Sequence, residues 1–283
     1  MRHGFLFIDK PEGPTSHDIV SQVRKTLSEK KVGHLGTLDP AAGGLMVLAV
    51  GAKALKVVEM FNELDKEYVA GITFGSVSAT YDREGPLEEI EPRPGVPEPD
   101  DSALQEALRN RFLGKVSQVP PAASAVKVGG ERAYRKMRQG RAVDLPARAV
   151  EISEIEVLSY SYPQASVRVA CSSGTYIRSL ANDLGEVLRV GGYLSSLSRT
   201  KVGDWSLEDA VKIEELKWSD VMPLKDVLYG RPSVELSDQQ FEDIKHGKII
   251  SMQCSKDAIA WHDELPVAIL EPKDGGVKAR KVL

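Results

Sequence analysis

The sequence predicts one large unit that mixes β-strands with α-helices, followed by a small β-rich unit at its C-terminal end. Three observations predict it. Apolar runs alternate with helical stripes from Gly4 to Phe74; a period-two segment from Ala165 to Cys171 runs into another helical stripe; three short apolar strands come last. A chain of 283 residues with 42% hydrophobic and 28% charged content can bury a full core, and lies near the size at which chains divide into two domains. The expected division falls near Tyr229 to Ser233, giving units of 1–230 and 231–283.

Each element has a local cause. GFLFI is a short apolar strand. From Ser16 to about Leu27, Ile19, Val20, Val23 and Leu27 share one helical face, with Thr15 or Ser16 as N-cap. The loop KVGHLGTLDPAAGG then leads into LMVLAV, a continuous apolar run ended by Gly51 that reads as a buried strand. Ala54, Val57, Val58, Phe61 and Leu64 recur at helical spacing, and Tyr68 to Phe74 is rich in β-formers. Five prolines from Pro86 to Pro99 mark a surface connection. A helix begins at Asp100 or Asp101, turns Leu104, Ala107, Leu108 and Phe112 inward, and is broken by VPPAAS. Lys127 to Arg148 holds a Gly129-Gly130 break and only scattered apolar positions, so it reads as a protruding arm outside the core.

Strands return at about Ala149 to Ser159 and at Ala165 to Cys171, and SSGT turns the chain into a helix. Ile177, Leu180, Ala181, Leu184 and Leu188 form that helix's buried stripe, with Arg178 off it. Past Trp205 the helices are short. Ser237 and Gln240 make a capping box closed by Gly247, and AIAWH, PVAILE and VKARKVL are the final strands.

Composition excludes several classes. No apolar run approaches the roughly 20 residues that cross a bilayer. The start, MRHGFLFIDKPEG, reaches an acid and a proline too early for a signal peptide, so a cytoplasmic location is expected. Cys171 and Cys254 lie far apart and the five histidines are scattered, so neither a disulfide framework nor a metal site is expected. A net charge of −4 opposes nucleic-acid binding only on average. Lys127 to Arg148 carries seven cations against two anions, while acid gathers from Asp82 to Asp101. A basic arm on a mildly acidic body fits a protein that meets RNA with one face.

Taken alone, Asp39-Pro40 is a common helix cap or turn. Its surroundings are less common: Gly33, Gly36, Gly43 and Gly44 let the backbone approach a ligand closely, and His34 lies five residues upstream. KVGHLGTLDPAAGGL resembles the nucleophile motif of the tRNA pseudouridine synthase B (TruB) family. IDKPEGPTSHD, DKEYVA, QVPPAASAVKVGGERAY and CSSGTYIRSLANDLG resemble further family segments in the same order, so the likeness spans residues 5 to about 205.

The resemblance implies an α+β pseudouridine synthase fold: a mixed, mainly antiparallel sheet with flanking helices, a thumb-like insertion and a central cleft. It also implies a PUA-like, RNA-binding tail from about Arg231. The implied reaction isomerises the T-loop uridine at standard tRNA position 55 to pseudouridine after flipping the base out. Nothing is oxidised or transferred from outside, so no cofactor is expected. By the same likeness Asp39 is the nucleophilic carboxylate, acting on sugar or base or assisting proton removal. Arg178 pairs with it and keeps it ionised, and Tyr68 stacks on the uracil and offers its phenol.

His34 and Tyr176 shape the space around the flipped base, while Lys10 and Lys127 support the loop and touch RNA. Arg132, Arg135, Arg138 and Arg141 of the arm, with Arg199, grip the T arm of tRNA, and a monomer is expected. Two departures stand out. Ala42, Gly43 and Gly44 lack a hydroxyl that the family usually has there, and Ser198 precedes Arg199 where the family favours two arginines. Two other readings compete: a tRNA-binding or folding protein whose catalysis is dispensable, and a carboxylate-pair glycosidase, for which the motif loop supplies no second acid.

Overall fold

The first strand, β1 (Gly4–Lys10), has no polar alternation, and Phe5 to Ile8 are all buried. Both of its faces are therefore covered. The computed structural model describes residues 3–91, 94, 97–124, 126–141, 144–252, 254 and 256–283, with the side chains at 127, 128, 132 and 138 outside the described set. Helix α1 (Ser16–Thr26) starts at a capping box, in which Thr15 takes the Asp18 amide and Asp18 takes the Thr15 amide. After β2 (Val32–His34) and the Asp39 loop, β3 (Ala42–Val50) is buried along its whole length. Gly43 and Gly44 thus belong to a strand, not to the loop. A short helix α2 (Ala52–Val57) tightens into a 3₁₀ turn, and β4 (Lys66–Phe74) follows.

The connection after β4 carries a small ribbon that pairs β5 (Ser76–Ser78) with the exposed β6 (Leu87–Glu89). Helix α3 (Asp101–Arg111) is capped by Asp100. It is followed by β7 (Gly114–Gln118), whose mixed KVSQ pattern gives little strand signal. In the arm, β8 (Lys127–Val128) and β9 (Glu131–Arg132) pair across Gly129-Gly130, both at positive φ as a two-residue hairpin turn requires. A short helix α4 (Ala133–Arg138) continues from it. The arm is not wholly outside the core: Ala133 is fully buried, and the amides of residues 133 and 134 bond the carbonyls of Val126 and Ser124. Strands β10 (Arg148–Ser161) and β11 (Gln164–Cys171), helix α5 (Ile177–Val187) and strand β12 (Gly192–Val202) complete the cleft.

Short strands β13 (Trp205–Ser206), β14 (Val211–Lys212) and β15 (Met222–Pro223) and helix α6 (Leu224–Leu228) lead to the final unit. There β16 (Ser233–Glu235), helix α7 (Asp238–Lys245), β17 (Ala258–His262), β18 (Leu265–Lys273) and β19 (Gly276–Val282) build a four-stranded sheet in the order β16-β17-β18-β19. This unit is seated against the larger one. Ile259 and Ile269 share an apolar core with Phe5, Phe7 and Phe61, Arg231 lies 4.0 Å over the Phe61 ring, and Lys281 pairs with Glu59 at 2.7 Å.

The large sheet runs β14-β1-β3-β12-β4-β11-β10-β7, with β2, β13 and β15 alongside. Its β1–β14 and β3–β12 pairs are parallel and the others antiparallel, so the α+β class with a mixed, mainly antiparallel sheet is found. Helix α1 covers Leu6, Ile8, Met46 and Leu48 on one face of β1 and β3, while Phe5, Phe7, Leu45 and Val47 face α2 and α6. Helices α3 and α5 cover Ile72, Val167 and Val169.

Strand β12 sits at the middle of the sheet. Gly44 makes its parallel pairing with β3 possible: φ is +92°, and a Cβ there would lie 2.4 Å from the Arg199 carbonyl oxygen. Gly44→Ala is therefore expected to lower the melting temperature by roughly 5–10 °C. A thermal melt checks this, and an unchanged midpoint contradicts it.

Candidate functional site

Asp39 lies in the connection between β2 and β3, where Asp39 to Ala42 form a turn closed by the Ala42 amide on the Asp39 carbonyl at 3.1 Å. Pro40 suits the second position of such a turn. No helix follows, so the Asp39 carboxylate is not spent on a cap. The loop is held from below. Ser16 Oγ donates to the Leu38 carbonyl at 2.8 Å and accepts the Leu38 amide at 2.9 Å. Lys10 Nζ donates to the carbonyls of Ala42 (2.6 Å), Pro11 (3.0 Å) and Pro40 (3.4 Å). These contacts brace the loop without the hydroxyl that the family usually places after Asp39-Pro40.

Arg178 occupies the first turn of α5, where the helix dipole disfavours a cation. Two carboxylates offset this. Its Nη2 lies 3.0 Å from Asp39 Oδ2 and its Nη1 lies 3.3 Å from Asp82 Oδ2. The same guanidinium donates to the carbonyls of Thr80 (3.3 Å) and Ala123 (3.0 Å). The Arg178 side chain is 7% exposed and that of Asp39 is 44% exposed, so a buried cation presents an accessible carboxylate to the cleft. Asp82 is buried and fully satisfied, accepting from Thr80 Oγ1 at 2.6 Å and from the Glu84 amide at 3.0 Å. Sequence reasoning missed Asp82. Its only signal was the Thr80-x-Asp82 spacing of a polar turn, which any surface loop shares.

Tyr68, on β4, stands opposite Arg199 of β12. Burial pushes the Tyr68 phenol above its ordinary pKa, with the neighbouring Arg199 guanidinium acting in the opposite sense and the Asp39 charge adding to the rise. Burial thus favours the protonated phenol. Burial, then Arg199, lowers the His34 pKa, which favours neutral imidazole, and Nδ1 accepts the Gly36 amide at 3.3 Å. Tyr176 is the N-cap residue of α5, its backbone clamped by both ends of the Gln118 amide at 2.8 and 2.9 Å. The Arg148 guanidinium covers its ring at 4.6 Å.

Two expected RNA contacts are corrected. Arg199 is 2% exposed, with Nε on the Leu45 carbonyl at 2.8 Å and Nη2 on the Gly36 carbonyl at 3.2 Å. Because β12 is a central strand, this side chain points into the floor of the Asp39 loop, where backbone carbonyls take its donors. Lys10 is 1% exposed, and burial lowers its pKa against the opposing pull of Asp39 and Glu12. It supports the loop only. In the arm, Arg135 is exposed beside Tyr134, and Arg141 pairs with Glu131 at 2.6 Å. The side chains of Lys127, Arg132 and Arg138 lie outside the described residues. Among the described residues no group of three His, Cys, Asp or Glu side chains is arranged to hold a metal, and no helix is long and apolar enough to cross a membrane.

The fold is shared with chains of solved complexes. A Cbf5-Nop10-Gar1 complex contains a chain with the same fold at 24% identity and a TM-score of 0.73, over 99% of this chain and 84% of that one. An H/ACA RNP bound to a substrate RNA containing 2′-deoxyuridine gives 22% identity and 0.72 over the same shares. Sequence narrows the class further. Residues 24–177 match the N-terminal domain of the TruB family pseudouridylate synthases, and residues 178–226 match the tRNA pseudouridylate synthase B C-terminal domain.

The tRNA pseudouridine synthase B of Corynebacterium diphtheriae is 38% identical over 280 residues, 96% of this chain and 93% of that protein. That of Thermobifida fusca is 41% identical over 261 residues, 89% and 87%. The chain belongs to the TruB family of pseudouridylate synthases.

Proposed function

We propose that this chain is a cytoplasmic, monomeric tRNA pseudouridine synthase that isomerises the T-loop uridine at tRNA position 55. The observation that carries this reading is the accessible Asp39 carboxylate held 3.0 Å from buried Arg178 in a TruB-family chain. In the isomerisation the N1–C1′ bond breaks, the uracil turns while held, and C5 joins C1′ as its hydrogen leaves to solvent and N1 takes up a proton. Asp39 supplies the ionised carboxylate that acts on the sugar or base, or assists proton removal at the sugar. Arg178 holds it in position, and Tyr68 stacks on the uracil and exchanges a proton through its phenol.

The basic arm takes the T arm by its phosphates, and the small β-rich unit from residue 231 is a PUA-like RNA-binding domain beside the catalytic unit of residues 1–230. The chemistry draws on no oxidant, reductant or acceptor. Incubation with an unmodified tRNA transcript made with 5-tritiated uridine tests it: tritium release reaching one equivalent per tRNA, without free uracil, is expected. Tritium retained, or uracil set free, overturns it.

Tyr68→Phe keeps the ring and removes the proton donor. It is expected to lower kcat about 10²-fold with KM within a few-fold. A normal kcat in steady-state assays contradicts the role given to the phenol.

A further inference from the structure

Asp39, Arg178, Asp82 and Arg83, with residues 194–197 of β12, line one open cleft. The cleft has two walls. One wall is the segment after β1, where Glu12 sits and where the Gly13 amide bonds the Pro40 carbonyl at 2.8 Å, so this segment moves with the Asp39 loop. The other is the 78–85 segment, fastened to β12 by the Arg83 amide on the Leu194 carbonyl (3.1 Å) and the Leu194 amide on the Tyr81 carbonyl (2.9 Å).

Two ties cross between the walls. The inner one is Arg178, buried, with four partners. The outer one is an ion pair between Arg83 Nη2 and Glu12 Oε2, whose side chains are 43% and 46% exposed. Half-exposed pairs are the weaker kind in water, so the outer tie is the one a substrate can exchange. The charges fit such an exchange. Arg83 lines the cleft that holds Asp39, yet its charge is neutralised by a carboxylate standing where a polyanion must approach. A backbone phosphate offers the guanidinium the same two-oxygen, bidentate pairing as a carboxylate.

We propose that Arg83 is a substrate contact for the RNA phosphate beside the flipped uridine, masked by Glu12 in the free protein and released to the RNA on binding. The inference rests on the tRNA-modifying reading above. Glu12 is a gatekeeping anion: it pairs with Arg83 across the cleft and yields it to a phosphate of the bound RNA.

The test uses the full chain and an unmodified tRNA transcript. Arg83→Ala is expected to raise KM five- to tenfold with kcat within twofold, and to reduce the slope of log affinity against log salt by about one. Arg83→Lys keeps most of the slope. Glu12→Gln lowers KM a few-fold, and the Glu12→Gln/Arg83→Ala double variant behaves as Arg83→Ala alone. An Arg83→Ala variant with normal KM and salt slope overturns the proposal. So does a Glu12→Gln variant whose KM rises as in Arg83→Ala, because the pair is then a structural fastening. The salt slope is read in an Asp39→Asn background, so it stands whether or not the chain turns over. An inactive wild type with a reduced Arg83→Ala slope counts against the enzymatic reading and leaves this contact in place.

Discussion

Asp39→Asn is expected to lower single-turnover pseudouridine formation by about 10⁴-fold or more, while leaving tRNA affinity within a few-fold. The two effects separate because of where the carboxylate sits. Its side chain is 44% exposed, and Arg178 keeps its bonds to Asp82, Thr80 and Ala123 when the Asp39 charge is gone. The asparagine is isosteric, so the loop braced by Lys10 and Ser16 keeps its shape. Quench-flow on labelled transcript together with filter binding measures both quantities. Residual activity above a hundredth of wild type removes Asp39 from the chemistry.

Arg178→Met carries the second large effect, on folding and activity together. It strips the cation from Asp82, whose carboxylate is 7% exposed, and removing one partner of a buried pair costs about 3–5 kcal/mol. Thr80 and the Glu84 amide still bond Asp82 and keep the loss near the lower figure. A fall in melting temperature of roughly 10 °C follows, with activity down at least 10²-fold. Arg178→Lys is expected to recover most of the stability and little of the activity. An ammonium on a single stem cannot span Asp39, Asp82 and two carbonyls as a planar fork does. Matched thermal melts and rate assays on the two variants decide it. A lysine variant that works as well as arginine reduces Arg178 to a charge.

The sequence carried the site's vocabulary more fully than its framework. Asp39 and Arg178, singled out by ordered motifs, lie 3.0 Å apart in the fold, and α1 and α7 were legible because their caps are local chemistry. Strand β12 was not legible, although it is central. Register shifts between Leu194 and Ser196 and between Arg199 and Lys201 break its two-residue period, and one of its inward side chains is an arginine. That fact also misplaced Arg199. A cation in a polar-looking segment reads as a surface contact until a neighbouring strand is seen to cover it. Asp82 was hidden for the opposite reason, since a buried carboxylate in an acidic stretch has no local mark. Only the fold of α5 onto the 78–85 segment brings Arg178 to it.

The most direct measurement of the central claim is nucleotide-resolution pseudouridine mapping of an unmodified tRNA transcript after incubation with the wild-type chain. A single modification at position 55 of the T loop, absent when Asp39→Asn replaces the wild type, is the predicted result. Pseudouridine elsewhere with none at that uridine, or the same signal from the asparagine variant, would contradict it.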